Sequence, residues 1–241
     1  MSIPFKLSPY LSAWVISTVF AFSAVNIVFA VEPGDPVAGK VKSAVCQGCH
    51  GEVGMSDSGD FPRLAGQHAA YIRKQFSEFK ASIRFNSDTM MGVANDSLTA
   101  KQDLYDVAAY FSSQKSMTGD KAVDEVFNVK DVSKGQNIFL NGNPATGLYG
   151  CVNCHGINGK GRSPGNDVFP VIGGQHKQFL VKQLNEFRNA ALSKEDPTKL
   201  FQEAGSAIEM RKNDPAGIMR NIAGRLSDAE IDAVTDYLAQ L

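Results

Sequence analysis

Apolar residues recur at three- and four-residue intervals in two stretches of similar sequence. In Tyr71 to Phe79 (YIRKQFSEF) they are Ile72, Phe76 and Phe79; in Phe179 to Phe187 (FLVKQLNEF) they are Leu180, Leu184 and Phe187. This is the period of an amphipathic helix. Two later stretches carry the same stripe, Leu104, Val107 and Phe111 in one and Ile231, Val234 and Leu238 in the other, with Tyr110 and Tyr237 in matching places. Each of these later helices is predicted to open on a capping box, Thr99 with Gln102 and Ser227 with Glu230. Gly39 and Gly135 fall in further helical starts, where a missing side chain is expected to let the first and last helices of each unit cross closely.

The segments ahead of the first two helices repeat as well: Phe61 to His68 reads FPRLAGQH and Phe169 to His176 reads FPVIGGQH. A duplicated helical domain follows from this and accounts for the 241 residues. The expected fold class is all-α, with tandem domains over residues 31–117 and 134–241 and a polar linker over 118–133. Ahead of them, Lys6 is the only charged residue before Glu32, and an apolar run extends from Leu11 to Ala30. Val28-Phe29-Ala30 offers small residues for a signal peptidase, so residues 1–30 read as a signal peptide that directs the chain to the periplasm. The alternative is a retained anchor with peripheral membrane association, since about 20 apolar residues can span a bilayer.

Composition narrows the function. The net charge is −1; residues 31–117 carry 9 basic against 10 acidic side chains, and residues 118–241 carry 14 against 15. No basic block suggests nucleic acid, and long-range steering by net charge should be modest.

All four cysteines lie in two short clusters, Cys46-Gln47-Gly48-Cys49-His50 and Cys151-Val152-Asn153-Cys154-His155. A Cys-x-x-Cys-His run reads as covalent haem attachment. Two thiols one helical turn apart can each add to a vinyl group of one porphyrin, and the next residue then offers its imidazole to the iron. A disulfide framework would leave both histidines unexplained, and a bare Cys-x-x-Cys could be a redox dithiol or half a zinc site. Two complete copies favour two covalently bound haem c groups, with Cys46, Cys49, Cys151 and Cys154 as attachment points and His50 and His155 as proximal ligands.

For the far side of each iron, Met91 lies seven residues before Leu98 and Met219 seven before Leu226. The same offset in both repeats selects them, with Met90 and Met210 as rivals; a thioether would raise the haem potential. His68 and His176 also repeat, but each begins a helix, where a polar residue or a partner for a haem propionate is expected. Carbonyls in Asp60–Pro62 and Phe169–Pro170 are candidates to accept the second ring N–H of each proximal histidine. Arg63 is a candidate partner for a propionate; the second copy has Val171 there.

The whole chain after residue 30 resembles the cytochrome c4 family of periplasmic dihaem proteins built from two class I cytochrome c domains. The resemblance rests on both Cys-x-x-Cys-His motifs, the paired FP-x-x-(A/G)GQ segments, the helices at Lys74-Gln75 and Lys182-Gln183, the stretch Asp106 to Lys115, and Ile218-Met219-Arg220. It implies His/Met ligation of both haems and a pseudo-twofold arrangement with the haem edges facing each other. The chain departs from it in a short segment between Arg84 and Met91, in an insertion from about Ser193 to Gly217, and in extra residues Asn141 to Tyr149.

A six-coordinate haem has no open position for oxygen or peroxide, so the expected role is electron carrier and not enzyme. The leading expectation is relay between respiratory donors and a terminal oxidase or other acceptor. An electron-transfer subunit of a periplasmic or membrane dehydrogenase is the alternative, and a dihaem peroxidase is a third reading that Met91 and Met219 argue against.

Overall fold

Ten α-helices order the described parts of the chain. The structure is a computed structural model, in which residues 33–119, 133–162, 168–193 and 208–241 are described. The expectations for the signal peptide, for most of the linker and for much of the insertion after Ser193 lie outside these residues. Among the described residues no helix is long and apolar enough to cross a membrane.

The first half contains α1 (Pro36–Lys42), α2 (Ala44–His50), α3 (Ala69–Lys80), α4 (Asp88–Asp96) and α5 (Lys101–Ser113). The second contains α6 (Lys134–Asn141), α7 (Val152–His155), α8 (Lys177–Leu192), α9 (Ile218–Ala223) and α10 (Asp228–Ala239). Among the described residues the main helix packing lies within each half: α5 packs on α1 and α3, and α3 on α4; α10 packs on α6 and α8, and α8 on α9. The extra residues before the second cysteine motif form a tight turn closed by an isolated bridge between Asn143 and Leu148.

Local chemistry sets these helices. Asp35 caps α1, its carboxylate accepting from the Val37 N–H at 2.8 Å, with Pro36 in the first turn. In α3 the predicted stripe Ile72, Phe76 and Phe79 is buried, and in α8 Leu180 and Phe187 are. The two small glycines behave as expected. A Cβ on Gly39 would stand 2.0 Å from the Asp106 carbonyl oxygen, and one on Gly135 would stand 1.9 Å from that of Ala233. Tyr110 and Tyr237 take the same place in the two crossings, each with its Cβ 2.9 Å from the added atom.

The second capping box forms as predicted, Glu230 accepting from the Ser227 N–H at 2.8 Å. The first does not. Ala100, not Thr99, is the N-cap of α5 and offers no side-chain acceptor, while Gln102 donates to Asp106 Oδ1 at 2.8 Å. Asp106 is a stronger attraction for that amide, because its nearly buried carboxylate already anchors α1 through the Asp35 N–H and Lys42.

Candidate cofactor sites

Helix α2 places Cys46 and Cys49 one turn apart and brings His50 to its last position, after which Gly51 leaves the helix with φ +81°. Cys154 and His155 repeat the arrangement on α7 with Cys151 as its N-cap, closed by Gly156 at φ +70°. Cys46 rests against the cluster of Ile72, Val107 and Phe111, and Cys151 against that of Ile138, Phe139 and Leu238. None of the four cysteines is joined in a disulfide. Burial, with a smaller contribution from the neighbouring cysteine, pushes the unligated Cys46 and Cys151 thiols up to about 11, at Cys151 against the opposing effect of a backbone hydrogen bond.

His50 and His155 are buried. His50 Nδ1 lies 2.8 Å from the Pro62 carbonyl oxygen and His155 Nδ1 2.9 Å from that of Pro170. A carbonyl only accepts, so Nδ1 must carry the proton and Nε2 keeps its lone pair. Burial lowers the pKa of both rings against the opposing effect of the proline carbonyls, which keeps the imidazoles neutral, the form that binds a metal. The carbonyl acceptors are those the sequence indicated.

These features fit haem. Each half offers two thiols one turn apart and, beside them, an oriented imidazole with its Nε2 lone pair available. Among the described residues no group of three His, Cys, Asp or Glu side chains is placed to hold a metal ion alone, which disfavours a zinc site.

Met91 lies on α4 and, with Met90, packs half-buried against Phe76, Phe79 and Ala94. Met219 lies half-buried in the first turn of α9, and Met210 half-buried in the non-helical segment before it. His68 and His176 are the N-caps of α3 and α8. His176 Nε2 lies 2.8 Å from the Ser56 carbonyl oxygen in the other half, a hydrogen bond that occupies the atom an iron would need. His68 is buried beside Gly161, its Nε2 without a hydrogen bond among the described residues. Arg63 reaches across the halves, donating to the Gly174 carbonyl at 2.7 Å.

That interface holds what the sequence reading missed. Arg84 donates to Gln75 Oε1 at 2.7 Å in its own half and to Gln183 Oε1 at 2.9 Å in the other. Arg211 mirrors it, donating to Gln183 at 2.8 Å and to Gln75 at 2.8 Å. Asn86 donates to Glu186, and Asn213 to Glu78 at 2.6 Å. Burial and the nearby Arg211 push Arg84 down to about 9. Burial would raise the Tyr71 phenol, but Arg211 and Arg84 outweigh it and lower its pKa. The signal was present in the repeats Gln75/Gln183 and Arg84-x-Asn86/Arg211-x-Asn213. Polar residues carry no hydrophobic period, so the periodicity search passed over them.

Duplicated thiol pairs, oriented imidazoles and two matching helical halves define a c-type cytochrome with two haem sites. Residues 132–241 match the family model described as Cytochrome c. The chain is 36% identical over 215 residues to cytochrome c4 of Azotobacter vinelandii, covering 86% of this chain and 90% of that one. It is 32% identical to a thiosulfate dehydrogenase electron acceptor of Stutzerimonas stutzeri, covering 81% and 78%. The crystal structure of reduced recombinant cytochrome c4 from Pseudomonas stutzeri superposes with a TM-score of 0.66 at 33% identity, covering 86% of this chain and 99% of that one. The chain belongs to the cytochrome c4 family. It is an all-α electron-transfer protein with two covalently bound haem c groups.

Proposed function

We propose that Cys46 and Cys49 hold one haem and Cys151 and Cys154 the other, with His50 and Met91, and His155 and Met219, as the axial ligands. The haem domains span 31–117 and 134–241, joined by 118–133, and residues 1–30 export the chain to the periplasm. There it acts as a carrier without enzymatic activity of its own, taking electrons from respiratory donors and passing them to a terminal oxidase or another acceptor. The observation that carries this is the duplicated imidazole geometry, Nδ1 held by a proline carbonyl at 2.8 Å and 2.9 Å beside a pair of cysteines one helical turn apart. The haem groups supply a one-electron couple at each site. The protein's part is to orient each imidazole, keep it neutral, and hold the two sites together through the polar interface.

A second reading is favoured by the Stutzerimonas stutzeri relative, whose name makes it the electron acceptor of a thiosulfate dehydrogenase. On that reading this chain serves one dehydrogenase as its dedicated acceptor. Potentiometric titration of the haem-loaded chain tests the ligand set: two one-electron waves, both at clearly positive potential, are expected. Met91→Ala and Met219→Ala should each lower one wave only. A strongly negative wave in the unaltered chain would overturn His/Met ligation of that site and bring the peroxidase reading forward; an unmoved potential in Met91→Ala would assign the ligand to Met90. Reduction by thiosulfate dehydrogenase but not by respiratory donors would favour the second reading.

A further inference from the structure

Gln67 and Gln175 are almost fully buried and make matching backbone hydrogen bonds from opposite halves, Gln175 adding one from its Nε2 to Met117 Sδ. Gln175 Oε1 accepts from the Arg63 N–H at 2.8 Å and from the His176 N–H at 3.0 Å, while its Nε2 donates to the Arg63 carbonyl at 3.0 Å. Gln67 Oε1 accepts from the Val171 N–H at 2.9 Å and from the His68 N–H at 3.0 Å, and its Nε2 donates to the Val171 carbonyl at 2.9 Å. Two N–H donors at one end and a carbonyl at the other fix the orientation of each amide.

The peptide groups they hold are those that orient the haem ligands. The Arg63 N–H belongs to the same planar peptide as the Pro62 carbonyl, which accepts from His50 Nδ1. The Val171 N–H belongs to the same peptide as the Pro170 carbonyl, which accepts from His155 Nδ1. A continuous chain therefore runs from Gln175 in the second half through Pro62–Arg63 to His50 in the first. Its mirror runs from Gln67 in the first half through Pro170–Val171 to His155 in the second.

We infer that Gln67 and Gln175 are positioning residues acting in trans, each tuning the haem ligand of the other half. Hydrogen bonds in series polarise one another. An N–H engaged by the glutamine oxygen makes the carbonyl of that peptide a stronger acceptor, and a stronger acceptor on Nδ1 makes the imidazole a better electron donor at Nε2. Electron donation favours the oxidised iron, so an intact chain lowers the potential of the haem in the opposite half. This rests on His50 and His155 being the proximal ligands.

The test uses haem-loaded protein labelled with 15N-histidine. The Nδ1–H signals of His50 and His155 are assigned through contacts to Pro62 and Pro170 and followed through a redox titration, which gives each haem its own potential. Gln67→Leu is expected to move the haem at His155 about three- to tenfold toward the reduced form at fixed ambient potential, tenfold being 59 mV for one electron, with little change at His50. Gln175→Leu should do the converse. Gln67→Met fills the same space without either polar atom and should move the haem at His155 the same way, with the His155 Nδ1–H signal shifted and that of His50 unmoved, a crossed pattern that loosened packing does not produce. Should a leucine variant not fold, the methionine variant decides. Shifts confined to the variant's own half, equal at both haems, or of opposite sign for leucine and methionine would overturn the inference. If the unaltered chain shows haems on both histidines but no crossed effect, only the coupling fails. If its haems are not on these histidines, the ligand reading itself fails.

Discussion

Gly135→Ala should destabilise this protein strongly, although alanine is the better helix former. At an open helical position the exchange stabilises by about 0.5–1 kcal/mol. Gly135 is not open: its Cβ would meet the Ala233 carbonyl oxygen at 1.9 Å and Tyr237 Cβ at 2.9 Å. Helix α6 would have to retreat from α10 by roughly 1.5 Å to restore van der Waals contact. The seam so opened includes Ile138, Phe139, Val234 and Leu238, none more than 3% exposed. Forcing a methyl group into a packed contact costs about 1–3 kcal/mol, and the lost dispersion along the seam adds to it. The expected net loss is about 2–4 kcal/mol. Gly92 in α4 is the control, since a Cβ there meets nothing within 4 Å. Guanidinium unfolding of the haem-loaded protein, followed by circular dichroism, measures both variants. Gly135→Ala within about 0.5 kcal/mol of the parent would falsify the close-crossing argument.

Two further outcomes follow from side chains tied to α5 and α10. Lys42 at 2.5 Å, then the Asp35 N–H at 2.9 Å and Gln102 at 2.8 Å, hold Asp106 down to about 2 against the opposing effect of burial. A carboxylate with a lower pKa folded than unfolded contributes its stability above the unfolded value of about 3.9 and loses it as pH falls from there toward 2. Asp106→Asn should therefore be less stable than the parent at neutral pH, and urea midpoints measured from pH 6 to pH 2 should converge at the acid end. Ser227→Ala should cost about 1 kcal/mol by removing a formed cap, while Thr99→Ala should lie within about 0.3 kcal/mol of the parent, since Thr99 caps nothing. Equal losses in the two variants by thermal unfolding would contradict the difference between the helix starts.

Several parts of the site were legible because they depend on local spacing. Cys46, Cys49 and His50 share one short helix, so their relation is set by the helical turn and was readable directly. The proline carbonyls were readable because Pro62 and Pro170 follow their histidines by 12 and 15 residues in a duplicated frame. The Gly39 and Gly135 crossings came from the coincidence of small residues in both copies. The first capping box was misread because tertiary partners compete with a local motif: Gln102 is held to the Asp106 carboxylate through its Nε2, and its Oε1 does not accept from the Thr99 N–H as the box requires. The cross-half bond of Arg63 was not legible for a similar reason, the carbonyl of Gly174 being brought to it from 111 residues away.

By itself, the sequence determined the helical periodicity, the duplication, the two haem attachment motifs and the histidines beside them. Each is written in residues close together in the chain, where backbone geometry alone fixes the spacing. Only the tertiary structure decided how the halves address each other. Gln67 meets Val171 across 104 residues, and Gln175 meets Arg63 across 112. A glutamine that binds a distant backbone amide has no periodicity or neighbouring partner to reveal it. Its hydrogen bonds exist only once folding has buried that amide beyond the reach of water and left it in need of a partner.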